Sequence, residues 1–167
     1  MKNKVERKVE LEAFIEFLKD RCGFKFDVNS FDHRIKLQKY VFIAKFLGWE
    51  HGYSYNIYLK GPYSPDLTKD YYTLSGDSTS FEYGRYSDYL PELNMERFIS
   101  VIDGKDTSWL EVATTMLSLY KRYHNTLGSE ELKKYLLERT GRIKSNMEMG
   151  FIEDALNDLK RYELIQI

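Results

Sequence analysis

Hydrophobic side chains recur every three to four residues along almost all of this chain, and in one place the interval drops to two. Tyr53, Tyr55, Ile57 and Leu59 alternate there with Ser54, Asn56, Tyr58 and Lys60. A period of two puts successive side chains on opposite faces of a strand, whereas a period near that of the α-helix stacks them on one face. The chain is therefore expected to be mainly α with a small β element, as a multi-helix globular domain. The next segment, Gly61-Pro62-Tyr63-Ser64-Pro65-Asp66, fixes how the strand ends. Proline restricts its own φ and pushes the preceding residue towards extended backbone, so this turn is stiff. Ser64, Pro65 and Asp66 suit the N-cap, N1 and N2 positions of a helix that runs to about Leu74 or Ser75.

Amphipathic spacing places the other helices. The first runs from Met1 to about Cys22, with Val5, Val9, Phe14 and Leu18 inward and Gly23 as its stop. A second spans Phe31 to about Gly48, capped by Ser30 or Asp32. Gly76 to about Glu92 is polar, loop-like and rich in tyrosine, and the composition shift there divides the chain into 1–90 and 91–167. Beyond it come a short helix, Met95 to Ile102, under Asn94, and a longer one from Asp106, Thr107 or Ser108. Ser129 is expected to cap Glu130 to Arg139, and Ser145-Asn146-Met147-Glu148 matches a capping box for the last helix. Leu164 to Ile167 reads as a terminal strand. Three helices and a strand in that order make the C-terminal half winged-helix-like.

The composition narrows the function. Lys+Arg number 25 against Asp+Glu 26, a net charge of −1 in 167 residues, so no overall basic field draws the chain to nucleic acid. Hydrophobic residues at 43% exclude a disordered chain. The single cysteine, Cys22, permits neither a disulfide framework nor a cysteine-based metal site, and a buried, inert thiol is expected. Glu10, Glu12 and Glu16 interrupt the region after the basic start, so no signal peptide is expected. No apolar run is long enough to span a membrane, and the expected location is cytoplasmic. His33, His51 and His124 lack helical histidine partners, and no nucleophile elbow or phosphate-binding glycine loop occurs. The chain is expected to be non-enzymatic, with no cofactor and no metal.

Candidate contact residues fall in three groups. Arg34, Lys36 and Lys39 sit near the start of the second helix. They form either a basic edge for an acidic protein or phosphate, or simply its solvated outer face. Gln38 lies among apolar neighbours and needs hydrogen-bond partners if buried, for which the backbone of the Gly61-Pro62 turn is the candidate. Tyr63 and Asp66 in the stiff loop extend the first group, unless Tyr63 packs inside a strand-to-helix corner. Tyr71, Tyr72, Phe81, Tyr83, Tyr86 and Tyr89 form a second patch, interspersed with acids, that suits protein contact or self-association as a homodimer. Lys133, Lys134, Arg139, Arg142 and Lys144 are the third group, suited to a DNA backbone. Against this, Glu148, Glu153, Asp154 and Asp158 would repel phosphates from the following helix.

Lys36-Leu37-Gln38-Lys39, followed by Tyr40-Val41-Phe42, and then Gly61-Pro62-Tyr63-Ser64-Pro65-Asp66-Leu67 together resemble the paired motifs of the Panacea/SocA-like antitoxin domain. They are similar also to the related YwgA-like proteins of bacteria and archaea. The resemblance covers about a quarter of the chain. It implies a mostly helical fold without catalytic residues, in which Lys36, Leu37, Gln38 and Lys39 and the loop of Gly61, Pro62, Tyr63, Ser64 and Pro65 are signature positions. Its antitoxin branch neutralises a toxin encoded alongside. The expected function is thus a cytoplasmic regulatory or binding module acting on a protein partner, a toxin or a regulatory protein. The alternative is a winged-helix DNA-binding transcriptional regulator.

Overall fold

A computed structural model describes residues 2–58, 60–74, 82 and 84–167. Among them are helices α1 (Lys4–Cys22), α2 (Phe31–Phe46), α3 (Pro65–Thr73), α4 (Tyr86–Tyr89), α5 (Met95–Ile102), α6 (Thr107–Tyr123), α7 (Ser129–Ile143) and α8 (Met149–Arg161). Strands β1 (Asn56–Tyr58) and β2 (Gly61–Tyr63) complete the set as an antiparallel pair. No helix among the described residues is long and apolar enough to cross a membrane. The chain forms two compact units, Met1–Tyr55 with Ser64–Gly104, and Asn56–Tyr63 with Lys105–Ile167. This grouping by contact and the compositional boundary at 90/91 are different divisions: α5 belongs to the first unit, and the hairpin between α2 and α3 belongs to the second.

In the first unit, α1 starts where the Asn3 side chain accepts from the Glu6 N–H, and it ends at Gly23 in the left-handed region, φ 67°. Aromatic rings fill the core. Phe14 lies 4.7 Å from Trp49 and 5.4 Å from Phe98, and Tyr40 meets Phe98 edge-on at 6.1 Å. Every residue of α2 from Leu37 to Ala44 is buried, so this stretch has no outer face. The chain leaves α2 through Gly48, φ 110°, where a Cβ would overlap the Glu92 carbonyl oxygen. His51 is a core histidine. Its Nδ1 accepts from the Tyr53 N–H at 3.0 Å, which leaves Nε2 to donate to the Val41 carbonyl at 3.1 Å. Ser64 caps α3 by accepting from the Leu67 N–H, with Pro65 in the first turn.

In the second unit, α6 packs against α7, α8 and β2, and α7 against α8. Ten residues of α6 are buried, including Trp109, Leu110, Val112 and Met116. Leu132 and Leu136 of α7 and Ile152, Ala155, Leu156 and Leu159 of α8 close the core. The hairpin pairs Asn56 with Tyr63, Ile57 with Pro62 and Tyr58 with Gly61.

Four local expectations are corrected. The strand is confined to Asn56–Tyr58, because the Tyr53 N–H is taken by His51, and Gly61–Tyr63 forms a second strand instead of a turn. Ser129 is the first residue of α7, under Gly128 in extended backbone, and caps nothing. Ser145 to Glu148 forms no capping box, since the Met147 N–H turns back to the Lys144 carbonyl and α8 begins under Glu148 without a side-chain cap. Leu164–Ile167 is not a strand. Glu163 adopts φ 59°, and the Leu164 N–H bonds the Leu159 carbonyl, so the chain folds back over the last turn of α8.

Candidate interaction surfaces

Gln38 is 2% exposed and takes hold of Ser64 where the chain re-enters the first unit. Its Oε1 accepts from the Ser64 N–H at 2.9 Å, and its Nε2 donates to the Ser64 carbonyl at 3.0 Å and to Thr68 Oγ1 at 2.9 Å. The partner is two residues beyond the Gly61-Pro62 turn expected from the sequence. Leu37 and Ser64 are wholly buried beside this clamp, while Pro65 and Asp66 stand exposed at the start of α3. Gly61 and Pro62 are buried in the second unit. Tyr63 is half-buried there, with its ring edge-on to Tyr58 at 5.4 Å.

The basic edge of α2 divides. Lys36 answers Asp32 one turn earlier at 3.3 Å, which balances a cation near a helix N-terminus. Lys39 is 2% exposed, enclosed by the fully buried stretch of α2, and presents no charge at a surface. Arg34 is the member with surroundings suited to contact. It donates to the Val28 carbonyl at 2.8 Å, and its guanidinium lies 5.6 Å from the Phe31 ring centroid and 6.0 Å from that of Tyr72. Phe31 and Tyr72 are 62% and 52% exposed. The half-buried Arg34 guanidinium is thus tied to its own chain within reach of two exposed rings. Phe31 shares the helical row of Ile35, Gln38 and Phe42, so spacing alone gave it a core position and its exposure was not legible in the sequence.

Within the tyrosine patch, the rings of Tyr71 and Tyr72 lie 5.1 Å apart. Tyr71 is buried edge-on to Phe26, Tyr72 is exposed, Tyr86 is half-buried with its hydroxyl on Asp20, and Phe81 and Tyr83 lie outside the described residues. Asp70 of α3 is fully buried. It accepts from the Tyr53 hydroxyl at 2.6 Å and from Arg7 Nε at 3.3 Å, a structural tie between α1, α3 and the segment after α2. Cys22 is half-buried, and that burial pushes its thiol up from about 9 to about 11. Among the described residues no three His, Cys, Asp or Glu side chains cluster as metal ligands.

Lys133, Lys134, Arg139 and Arg142 are exposed along α7. Lys144 is not available for DNA contact. It is 2% exposed and ion-paired to Glu111 at 3.1 Å, with Lys60 a further 4.0 Å contact of the same carboxylate. Burial lowers the Lys144 ammonium below its ordinary pKa, and the Glu111 charge opposes that shift.

An open groove of about 590 Å³ lies wholly within the second unit, between β1, the end of α6 and the face of α7. Arg122, Arg139 and Arg142 line it with Tyr58, Tyr123 and Tyr135. Tyr123 and Tyr135 meet edge-on at 4.8 Å. Hydrogen bonds with Tyr135 and Arg122 lower the Tyr123 hydroxyl's pKa, while burial, with the bond to Tyr123, raises that of Tyr135. Sequence reasoning found Arg139 and Arg142 but missed Arg122 and the three rings, because only the packing of β1 and the end of α6 against α7 brings them together.

Compared with protein-family models, curated proteins and solved structures, the chain finds no match.

Proposed function

We propose that the protein is a non-enzymatic binding module that acts through protein–protein contacts, with the Phe31–Arg34–Tyr72 cluster of the first unit at the centre of its contact surface. The observation behind this reading is the arginine tied to its own chain within reach of two exposed rings. Arginine and large aromatic side chains dominate the energetics of protein interfaces, and a residue already fixed by its own chain loses little entropy on binding. The Gln38 clamp supports the same reading, since it holds α3, which carries Tyr72 and Asp66, to α2, which carries Phe31, Arg34 and Lys36. The likeness of the two motifs to the Panacea/SocA-like domain adds a class of partner, a toxin encoded beside this chain.

Affinity purification from the native host tests the proposal, with the parent chain and the Phe31→Ala/Tyr72→Ala variant run side by side. The parent is expected to retain a stoichiometric protein, or a second copy of itself, that the variant loses at an unchanged melting temperature. Equal retention by the two would refute it. The alternative, a winged-helix-like DNA-binding regulator, draws on Lys133, Lys134, Arg139 and Arg142. It requires duplex binding that falls roughly 10³-fold or more between about 50 and 200 mM salt.

A further inference from the structure

The groove of the second unit is a separate surface from the one just proposed, and its chemistry points to a small anionic ligand. All three cations that line it are arginines. A guanidinium offers paired donors in a fixed plane that match two phosphate oxygens and can also lie flat on a ring, which an ammonium does neither of. Among the described residues none of Arg122, Arg139 and Arg142 is ion-paired to a carboxylate, and no acid lines the groove. From Lys121 to Lys144 the chain carries seven cations against three carboxylates. Glu131 and Glu138 are exposed on α7 but outside the lining, and they work against a long polyanion laid along the helix.

Size and the remaining lining narrow the ligand further. About 590 Å³ is far more than a phosphate occupies and falls within the roughly 300–1,000 Å³ range of small-molecule sites. Ile57, Leu119 and Ile143 add apolar surface between the rings. Tyr58 is 49% exposed on β1 while its ring meets that of Tyr63 at 5.4 Å, which leaves about half of the side chain open to the groove's solvent side. Base–tyrosine stacking beside arginine–phosphate pairing is the combination by which proteins hold unpaired nucleotides.

We propose that this groove binds a nucleoside phosphate, either free or within a single strand of nucleic acid, with Arg122, Arg139 and Arg142 on the phosphate and Tyr58 against the base.

Calorimetric titration of the full chain at low ionic strength tests this with AMP, ATP, a single-stranded hexanucleotide, a duplex of equal length, inorganic phosphate and a phosphotyrosine peptide. At least one nucleoside phosphate is expected to bind with Kd below about 1 mM, and about tenfold tighter than inorganic phosphate. Arg139→Gln/Arg142→Gln should weaken it by about tenfold or more at an unchanged melting temperature. Tyr58→Ala should weaken AMP and leave phosphate unchanged, and Lys133→Gln, outside the groove, should bind as the parent does. A hexanucleotide tighter than AMP assigns the strand, and equal affinity assigns the free nucleotide. The proposal is overturned if no nucleoside phosphate binds, if phosphate, the duplex or the phosphopeptide binds as tightly, or if the arginine variant matches the parent.

Discussion

Gln38 pairs with the backbone of Ser64 as a neighbouring strand would, accepting from its N–H at 2.9 Å and donating to its carbonyl at 3.0 Å. A side-chain amide has the same donor and acceptor spacing as a peptide group, so one residue of α2 supplies what a third strand would otherwise provide. Both bonds are buried.

Gln38→Leu should therefore cost about 2–3 kcal/mol, because the Ser64 N–H is left without a partner in an apolar setting. Gln38→Glu should cost more, since it replaces a donor with a buried charge. Urea-unfolding midpoints of the three proteins read both effects.

Gly48→Ala should destabilise by at least about 2 kcal/mol, through backbone strain at φ 110° and overlap with the Glu92 carbonyl. Gly141→Ala is the contrast. Its added Cβ meets the flexible end of Met149 at 3.1 Å and Ile152 Cδ1 at an ordinary 4.0 Å, within a helix where alanine is favoured over glycine by about 1 kcal/mol. Thermal melts should separate the two by several degrees.

Glu111→Leu should cost about 3–5 kcal/mol by leaving Lys144 buried without its carboxylate, and Lys144→Met should cost less, because Lys60 stays 4.0 Å from Glu111. The double variant is expected to recover most of the loss, because neither charge then remains to be desolvated. A double-mutant cycle measured by chemical denaturation gives the coupling directly.

Cys22 titrates at about 11 in the folded chain against about 9 when solvated, with burial as the cause and the Arg21 charge partly opposing it. Between those values the unfolded chain has released the thiol proton and the folded chain still holds it. Stability must then fall as pH rises from about 9 to about 11. The alkylation rate by iodoacetamide should climb about two pH units later in native than in denatured protein, and Cys22→Ala should abolish this contribution to the pH dependence.

Local signals carried the helices. Ser30, Ser64, Asn94 and Asp106, all legible as caps, each accept from the backbone, whereas Asn3 caps a first helix that the spacing started at Met1. Gln38 was legible as a polar residue that a buried face must satisfy. What failed depended on distant chain. Lys39 and Lys144 read as solvated because a lysine's burial is decided by what surrounds it, and Glu111 lies 33 residues from Lys144. Pro62 disguised β2, since proline argues against a strand except where its missing N–H faces no partner. The groove was half legible for the same reason, with its α7 arginines apparent and Arg122 and Tyr58 supplied by other elements.

The eight-residue excursion from Asn56 to Tyr63 has a consequence for how the polypeptide is made. The ribosome releases this hairpin ahead of α6, the helix it packs on, so the nascent chain carries two short strands without a platform until residues well past Gly104 emerge. Two strands alone are marginal in water. Nor can either half be excised by a single cut: a fragment ending at Gly104 keeps a hairpin with nothing beneath it, and one starting at Lys105 lacks it. Dissecting the molecule calls for replacing 56–63 with a short linker, and restoring the ribbon to the remainder by fusion.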